Sequence, residues 1–337
     1  MKKRVLIVCD KPNWAFDIIA KSLVKHNDQP GLHIDIAYLK QDHPDYKFIR
    51  SCRDQYDLFF PIHWSIAGVQ KRTALQRLAR KPIPVGYVQK IVPRFPFLPK
   101  EKVITGIHAH HDWDRGRSMP DHDCIPPETL VDFLRGFKGV NVVSNRLFNV
   151  FSAVGLDNLA LTQNGVDADL FRPAKAAVGT SRLVVGTSGT KARDEKEGIS
   201  EFIEPLADLP FVELRLAIPQ EGKYIPHHRM PEFLNALDVY VLASRSEGFP
   251  LKGLEASACG CAIVTTKVGG MEDLISHGVN GYFIERSLSA IREVLLHLHN
   301  NRTEVAVLGK RNRQNIESLW CWKKRARDWL TFIQSHI

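Results

Sequence analysis

The chain has few cysteines and no long hydrophobic run. Six cysteines in 337 residues (Cys9, Cys52, Cys124, Cys259, Cys261 and Cys321) include no C-x-x-C pair and are too sparse for a disulfide framework. Reduced, mostly buried thiols are expected. No apolar stretch approaches the roughly 18 residues that a membrane span needs. The start, Met1-Lys-Lys-Arg4, has the positive flank of a signal peptide. Its apolar run, however, extends only from Val5 to Cys9 before Asp10 intervenes, too short for a signal-peptide core. It reads instead as the buried first strand of a cytoplasmic protein. Internal repeats, low-complexity tracts and a coiled-coil seam are also missing. What is there, 44% hydrophobic and 25% charged residues, is ordinary globular composition and excludes a disordered or collagen-like chain. At about 150 residues per domain the length predicts two domains.

The net charge of +9 is unevenly spread. Residues 63–102 carry nine Lys and Arg against Glu101 alone, and residues 301–337 carry eight against three acids, so the remainder is net acidic. Such a distribution predicts an anionic partner, or else a solvated face that favours solubility. Phe95, Phe97 and Leu98 inside the first basic stretch offer apolar anchors for an anionic membrane surface. No nucleic-acid motif is present, so no nucleic acid is expected.

Short apolar runs alternate with amphipathic stretches throughout. Val5–Cys9, Ile34–Tyr38, Leu58–Phe60, Val103–Ile107 and Val140–Val143 are runs of strand length or a little shorter, separated by helix-period segments such as Phe16–Lys25, Thr73–Arg80 and Arg146–Val154. The pattern restarts beyond the Pro/Gly/Ala-rich residues 171–180, with Leu183–Val185, Val212–Ala217, Val239–Leu242, Ile263–Thr265 and Tyr282–Ile284. Doubly buried strands alternating with helices predict βαβ units and parallel sheets, hence two doubly wound α/β domains. In such sheets ligands sit beyond the carboxyl ends of strands.

One such end stands out. The strand Val239–Ala243 leads into the loop Ser244–Pro250 and a helix over Leu251–Cys259 that Gly260 stops. Pro250 suits the first helical turn, whose free amides attract anions. Glu247 lies in the loop and Glu255 about one turn inside the helix. Carboxylates beside an anion-attracting helix end make sense if they grip hydroxyls, as sugar and ribose diols require; both are otherwise exposed acids favoured by the dipole.

Glu247-Gly-Phe-Pro-Leu-Lys-Gly-Leu-Glu-Ala-Ser-Ala-Cys-Gly260, followed by Val264-Thr-Thr-Lys-Val-Gly-Gly270 and His277-Gly-Val-Asn-Gly281, resembles the E-x7-E block of glycosyltransferase family 4. Leu161-Thr-Gln-Asn-Gly-Val-Asp-Ala-Asp-Leu-Phe-Arg-Pro173 resembles the NGVD segment of the same family. The resemblance covers nearly the whole chain in order. It implies the GT-B fold: two Rossmann-like doubly wound domains facing a cleft, with a C-terminal helix crossing back to the first. The implied organisation is an acceptor-side domain at 1–168, a linker at 169–180, a donor-binding domain at 181–318 and the returning helix at 319–337. The implied activity is a metal-independent, retaining transfer of a hexosyl or N-acetylhexosaminyl group. The donor would be a UDP- or GDP-sugar and the acceptor a glycan or a lipid-linked molecule, with no cofactor.

By the same resemblance Glu247 contacts the donor sugar, Glu255 the ribose, and the turn Gly248, Phe249, Pro250 and Leu251 the diphosphate. Thr190 occupies the position of the family's phosphate-binding Arg, and Lys196 fits the Lys that follows. Arg193 or Lys191 would supply the missing cation. His108, at the end of a first-domain strand, matches the family's sugar-facing His. The loop after the first strand, which includes Asn13 and Trp14, replaces the family's glycine pair and would lie on the acceptor side. Three further readings remain. His108-x-His110-x-Asp112 resembles the start of a metallohydrolase ligand set, although Trp113 stands where that pattern has His, and the expected metal complement is none. A non-catalytic module holding an anionic glycan and a nucleotide-sugar epimerase complete the alternatives.

Overall fold

A computed structural model describes residues 2–39, 45–71, 90–110, 125–174, 181–222 and 224–337. The chain divides into two units, one formed by residues 1–164 with 325–337 and the other by residues 165–324.

Unit 1 is built on parallel strands. β1 (Lys3–Cys9) pairs with β2 (Leu32–Tyr38) on one side and β3 (Leu58–Pro61) on the other. Val5 to Cys9 are at most 1% exposed, as a strand covered on both faces requires. β4 (Gly68–Lys71) and β5 (Lys90–Pro93) form an antiparallel pair. β6 (Ile104–Ile107), β7 (Gly139–Val142) and β8 (Leu159–Leu161) make a second parallel set in that order. A parallel bridge from Phe59 to Val103, and Thr105 Oγ1 donating to the Pro61 carbonyl at 2.9 Å, join the two sets. The helix Asn145–Ala153 starts where the Ser144 hydroxyl accepts from the Leu147 amide, a side-chain cap worth about 1 kcal/mol.

The last helix, Trp322–Gln334, passes into unit 1 at Arg325. Trp329 is fully buried there, its indole N–H donating to the Gln163 carbonyl at 3.0 Å, and Phe60 lies 6.2 Å from both Trp329 and Phe332.

Unit 2 carries one five-stranded parallel sheet of β9 (Leu183–Ser188), β10 (Val212–Ala217), β11 (Val239–Leu242), β12 (Ala262–Thr266) and β13 (Gly281–Ile284), in the order β10-β9-β11-β12-β13. The helix Leu288–Asn300 packs on it through Ile291, Leu295 and Leu298, all fully buried. Their i, i+4, i+7 spacing makes one stripe, and each burial contributes roughly 1.5–3 kcal/mol.

The two α/β units with parallel sheets match the expected fold class. After β9 the chain leaves α-helical geometry: Ile199–Ile203 is a π-turn and Glu204–Asp208 a 3₁₀ turn. Pro205 lacks the N–H that an α-helical ladder needs at that point. The helix-period segment Thr73–Arg80 and linker positions 175–180 lie outside the described residues. The five described cysteines are free and buried. Among the described residues no helix is long and apolar enough to cross a membrane.

Candidate functional site

The loop after β11 and the helix Leu251–Ala258 that follows it hold most of the chemistry of unit 2. Pro250 is the residue before the helix (φ −72, ψ 113) rather than part of its first turn, and it brings no side-chain cap. The Gly253 amide turns back to the Pro250 carbonyl at 3.0 Å, and the amides of Leu251 and Lys252 precede the helical ladder at the positive end of the dipole. The Thr266 hydroxyl, at the end of β12, donates to the Ser244 carbonyl and ties down the start of the loop. The Gly270 amide donates to the Gly248 carbonyl at 2.7 Å and ties down its middle. Gly269 has φ +44, and a Cβ there would collide with the Glu247 carbonyl oxygen, so the position demands glycine. Phe249 is 5% exposed and packs against Gly270 and Trp320, the latter at 5.1 Å between ring centroids. Its side chain wedges the loop in place.

Glu247 sits at the centre of a buried charge cluster. Its Oε2 accepts from Lys196 Nζ at 2.8 Å and its Oε1 from Ser244 Oγ at 2.8 Å. Lys252 Nζ lies 3.6 Å from Glu247 Oε1 and 3.6 Å from Glu197 Oε2. Lys196, Glu247, Lys252 and Glu197 thus form a chain of alternating charge with no net charge. Burial pushes the Glu247 carboxyl up, but Lys196, then Lys252, and the bond from Ser244 outweigh it and hold the group at about 2. Burial likewise pushes the Lys252 ammonium down, while Glu197 and Glu247 raise it above its ordinary value. Both groups are charged at neutral pH.

The segment carrying Lys196 is fixed from several sides. The Arg245 amide donates to the Lys196 carbonyl at 2.8 Å, and Arg286 donates to the Ala243 and Glu195 carbonyls at 2.9 and 3.0 Å. The Thr190 amide donates to Glu197 Oε2 at 3.0 Å. The Thr190 hydroxyl accepts from the Ala192 amide and from Gln220 Nε2, so it caps its own turn. Lys191 pairs with Glu204 at 2.6 Å, and Arg193 is exposed and makes no ion pair with any described residue. Neither of these two, offered by the sequence as the extra cation, joins the cluster. Lys252 does.

Glu255 lies on the same helix and is 8% exposed. Its Oε1 accepts from His227 Nε2 at 2.7 Å, and the imidazole ring packs 5.2 Å from Phe171. The hydrogen bond to Glu255 raises the His227 pKa against the opposing effect of burial. Lys252, Glu197, Ser244 and His227 were not singled out from the sequence. Lys252 did carry a signal: a lysine in the first turn of a helix opposes the dipole and calls for a buried acid nearby.

Unit 1 holds the remaining candidates. His108 follows β6, its ring centroid 5.0 Å from Phe16, 5.7 Å from His63 and 5.8 Å from Trp329. Gly106 makes room for it, since a Cβ there would come 3.0 Å from His108 Nε2 and 2.6 Å from the Ile62 carbonyl. His63, also missed by sequence reading, is 3% exposed and has Nδ1 2.8 Å from Ser65 Oγ. Asn13 adopts φ 60 and its amide donates to Asp17 Oδ2 at 2.7 Å. Asparagine tolerates this left-handed conformation, in a loop where the resembling family has glycine. Trp14 is 49% exposed with Lys11 Nζ 3.1 Å above its ring. His110 is buried, and Asp112 lies outside the described residues. Among the described residues no three His, Cys, Asp or Glu are grouped to hold a metal ion.

Of the three apolar anchors expected to face a membrane, Phe97 is half-buried and the other two are buried. Phe95 and Leu98 are 4% and 7% exposed, and Arg94 donates to the carbonyls of Ile66, Ser65 and Gly68. Arg72, Arg77, Arg80 and Lys81 lie outside the described residues.

Residues 222–317 match the sequence model of the family described as glycosyl transferases group 1. A D-inositol 3-phosphate glycosyltransferase of Frankia alni is 32% identical over 104 residues, 31% of this chain and 25% of that protein. The enzyme of the same name from Geodermatophilus obscurus is 27% identical over 254 residues, 69% of this chain and 55% of that protein. The chain thus spans about a quarter to about half the length of such relatives. Among solved structures, sucrose-phosphate synthase from Thermosynechococcus elongatus superposes with TM-score 0.72 at 15% identity, covering 99% of both chains. HepE from Anabaena, in complex with UDP-glucose, superposes with TM-score 0.70 at 13% identity over 98% of this chain and 99% of that one. The fold is that of these GT-B glycosyltransferase structures, and residues 222–317 are similar in sequence to the group 1 glycosyltransferases.

Proposed function

We propose that the chain is a retaining glycosyltransferase of family 4 that takes a sugar from a nucleoside-diphosphate donor and passes it to a glycan or lipid-linked acceptor without a metal ion. The observation that carries this reading is the Lys196–Glu247–Lys252–Glu197 chain beside the free end of the helix Leu251–Ala258. Two ammonium groups and the leading amides of the helix, at Leu251 and Lys252, suit a diphosphate whose charge grows as it leaves. The carboxylate of Glu247, kept ionised, accepts hydroxyls of the donor sugar, and Glu255 those of the ribose. In the reaction the bond from the anomeric carbon to the β-phosphate oxygen breaks and one to the acceptor oxygen forms. The acceptor's hydroxyl proton goes to the departing phosphate.

Within this reading Lys252 stands in for the cation that Thr190 does not provide, and Gly248, Phe249 and Leu251 contribute backbone only. His108 orients a hydroxyl or the reacting centre, and Asn13 and Trp14 belong to the acceptor side. The acceptor-side domain is the one formed mainly by residues 1–164, and the donor-side domain is residues 165–324. HepE is named with UDP and with UDP-glucose, which supports a uridine donor ahead of a guanosine one. The test is a thermal-shift screen of UDP- and GDP-sugars followed by a turnover assay with EDTA present. A donor that raises the melting temperature selectively and is consumed by the wild type but not by Glu247→Ala is expected. No shift with any nucleotide sugar, or undiminished turnover by the variant, would overturn the assignment.

A further inference from the structure

We infer that unit 1 carries a ligand site of its own: a cavity that takes the hydrocarbon chain of an alkyl or prenyl phosphate, with the phosphate met by Lys90 and Lys100. The cavity has a volume of about 520 Å³ and is walled mainly by Ile91, Phe95, Leu98, Val103, Phe133 and Phe137. That volume is within the usual range of small-molecule sites, roughly 300–1,000 Å³. It lies among Ala67, just before β4, the strand β5, the turn Lys100–Lys102 and the helix Glu128–Arg135. Gly68 sets the spacing of β4 from that helix, because a Cβ there would come 2.7 Å from the Phe133 ring. Pro93 and Pro96 border the cavity and have no N–H to continue the β5 ladder past its end. A hydrocarbon chain laid against these apolar walls would take them out of water, the usual driving force for such binding.

The polar groups of the lining say what the other end of the ligand is. Thr129 Oγ1 is buried with no hydrogen-bond partner. Asp132, the acid of the lining, is already bonded to Arg135 at 2.8 Å. Lys90 and Lys100 are exposed, and neither makes an ion pair with any described residue. Among the described residues the charge of the lining left without an ion pair is therefore positive and doubled, which fits a phosphate near −2 better than a singly charged or neutral head. The site stands on unit 1 alone and does not depend on the donor reading of unit 2.

The test is isothermal titration of the full chain with a series of n-alkyl phosphates from butyl to decyl, kept below micelle formation. Burial of each added methylene predicts about fourfold tighter binding until the cavity is full. Decanol, decyltrimethylammonium and inorganic phosphate are expected to bind at least tenfold more weakly than decyl phosphate. The surface variant Lys90→Glu/Lys100→Glu should keep the melting temperature and lose decyl phosphate at least tenfold. Val92→Trp, inside the cavity, should flatten the chain-length dependence. A flat series in the wild type, equal affinity for the neutral, cationic and phosphate heads, or inorganic phosphate binding as tightly as decyl phosphate would overturn the inference.

Discussion

Lys196 Nζ donates to Glu247 Oε2 at 2.8 Å, so a cation expected to meet phosphate and a carboxylate expected to meet sugar hydroxyls hold one another. A single buried network sets the protonation and position of both. Replacing Lys196 with Met leaves Glu247 with Lys252 as its nearest cation. Turnover of a nucleotide-sugar donor is expected to fall by about 10²–10³, as for loss of one donor to a developing charge. The Glu247 pKa should rise from about 2, which carbon-detected NMR titration of the side chain reports. An unchanged rate with a raised pKa would separate the network from the chemistry.

Lys252→Met leaves Glu197 and Glu247 facing each other, buried, with one cation fewer. A stability loss of about 1–3 kcal/mol is expected at pH 7, read by denaturant unfolding. The double variant Lys252→Met/Glu197→Gln should recover most of it, because the orphaned carboxylate is gone. In the proposed donor site Lys252→Met also weakens UDP while leaving uridine unaffected. Equal losses for both ligands would remove Lys252 from the phosphate contact.

The Glu247 carboxyl lies below its ordinary value of 4.5, at about 2. Its pairing therefore contributes stability that is fully present above pH 4.5 and lost as the pH falls toward 2. Glu247→Gln should show a shallower acid limb in a plot of unfolding free energy against pH between those values. Parallel acid limbs would contradict the pairing.

His227 has the opposite sign. Its pKa is raised above 6.5 by Glu255, so the pair stabilises fully below pH 6.5 and loses its contribution as the pH rises through the folded-state value. Melting temperatures of the wild type and His227→Gln should differ most at pH 6 and converge at alkaline pH. A difference that is constant across the range would mean that the proton plays no part.

Gly269→Ala forces a Cβ against the Glu247 carbonyl in a left-handed backbone position. A destabilisation of at least about 1–3 kcal/mol is expected, with donor binding lost alongside. Wild-type stability in this variant would show that the loop is less tightly bound to β12 than described.

The α/β class and the strands were legible because doubly buried strands are written as continuous apolar runs, from Val5–Cys9 to Val239–Leu242. The loop and helix from Ser244 to Gly260 were legible for the same reason, aided by Pro250 and Gly260 at the helix limits. The cluster was only half legible. Glu247 and Glu255 stood in a spaced pattern, but Glu197 meets Lys252 across a gap of 55 positions and Glu255 meets His227 across 28, and no local pattern encodes such pairings. Lys191 and Arg193 were adjacent to the right place, yet the turn at Thr190 directs one to Glu204 and leaves the other exposed. Phe95 and Leu98 resembled a surface anchor because apolar residues among cations look alike whether they face water or line a cavity.

The most direct measurement is a crystal structure with a UDP-sugar bound to the full chain. The account predicts the diphosphate beside Lys196, Lys252 and the first-turn amides of Leu251–Ala258, with sugar hydroxyls on Glu247 and ribose hydroxyls on Glu255. Density for the nucleotide elsewhere on the molecule, with the Lys196–Glu247–Lys252 chain untouched, would contradict it.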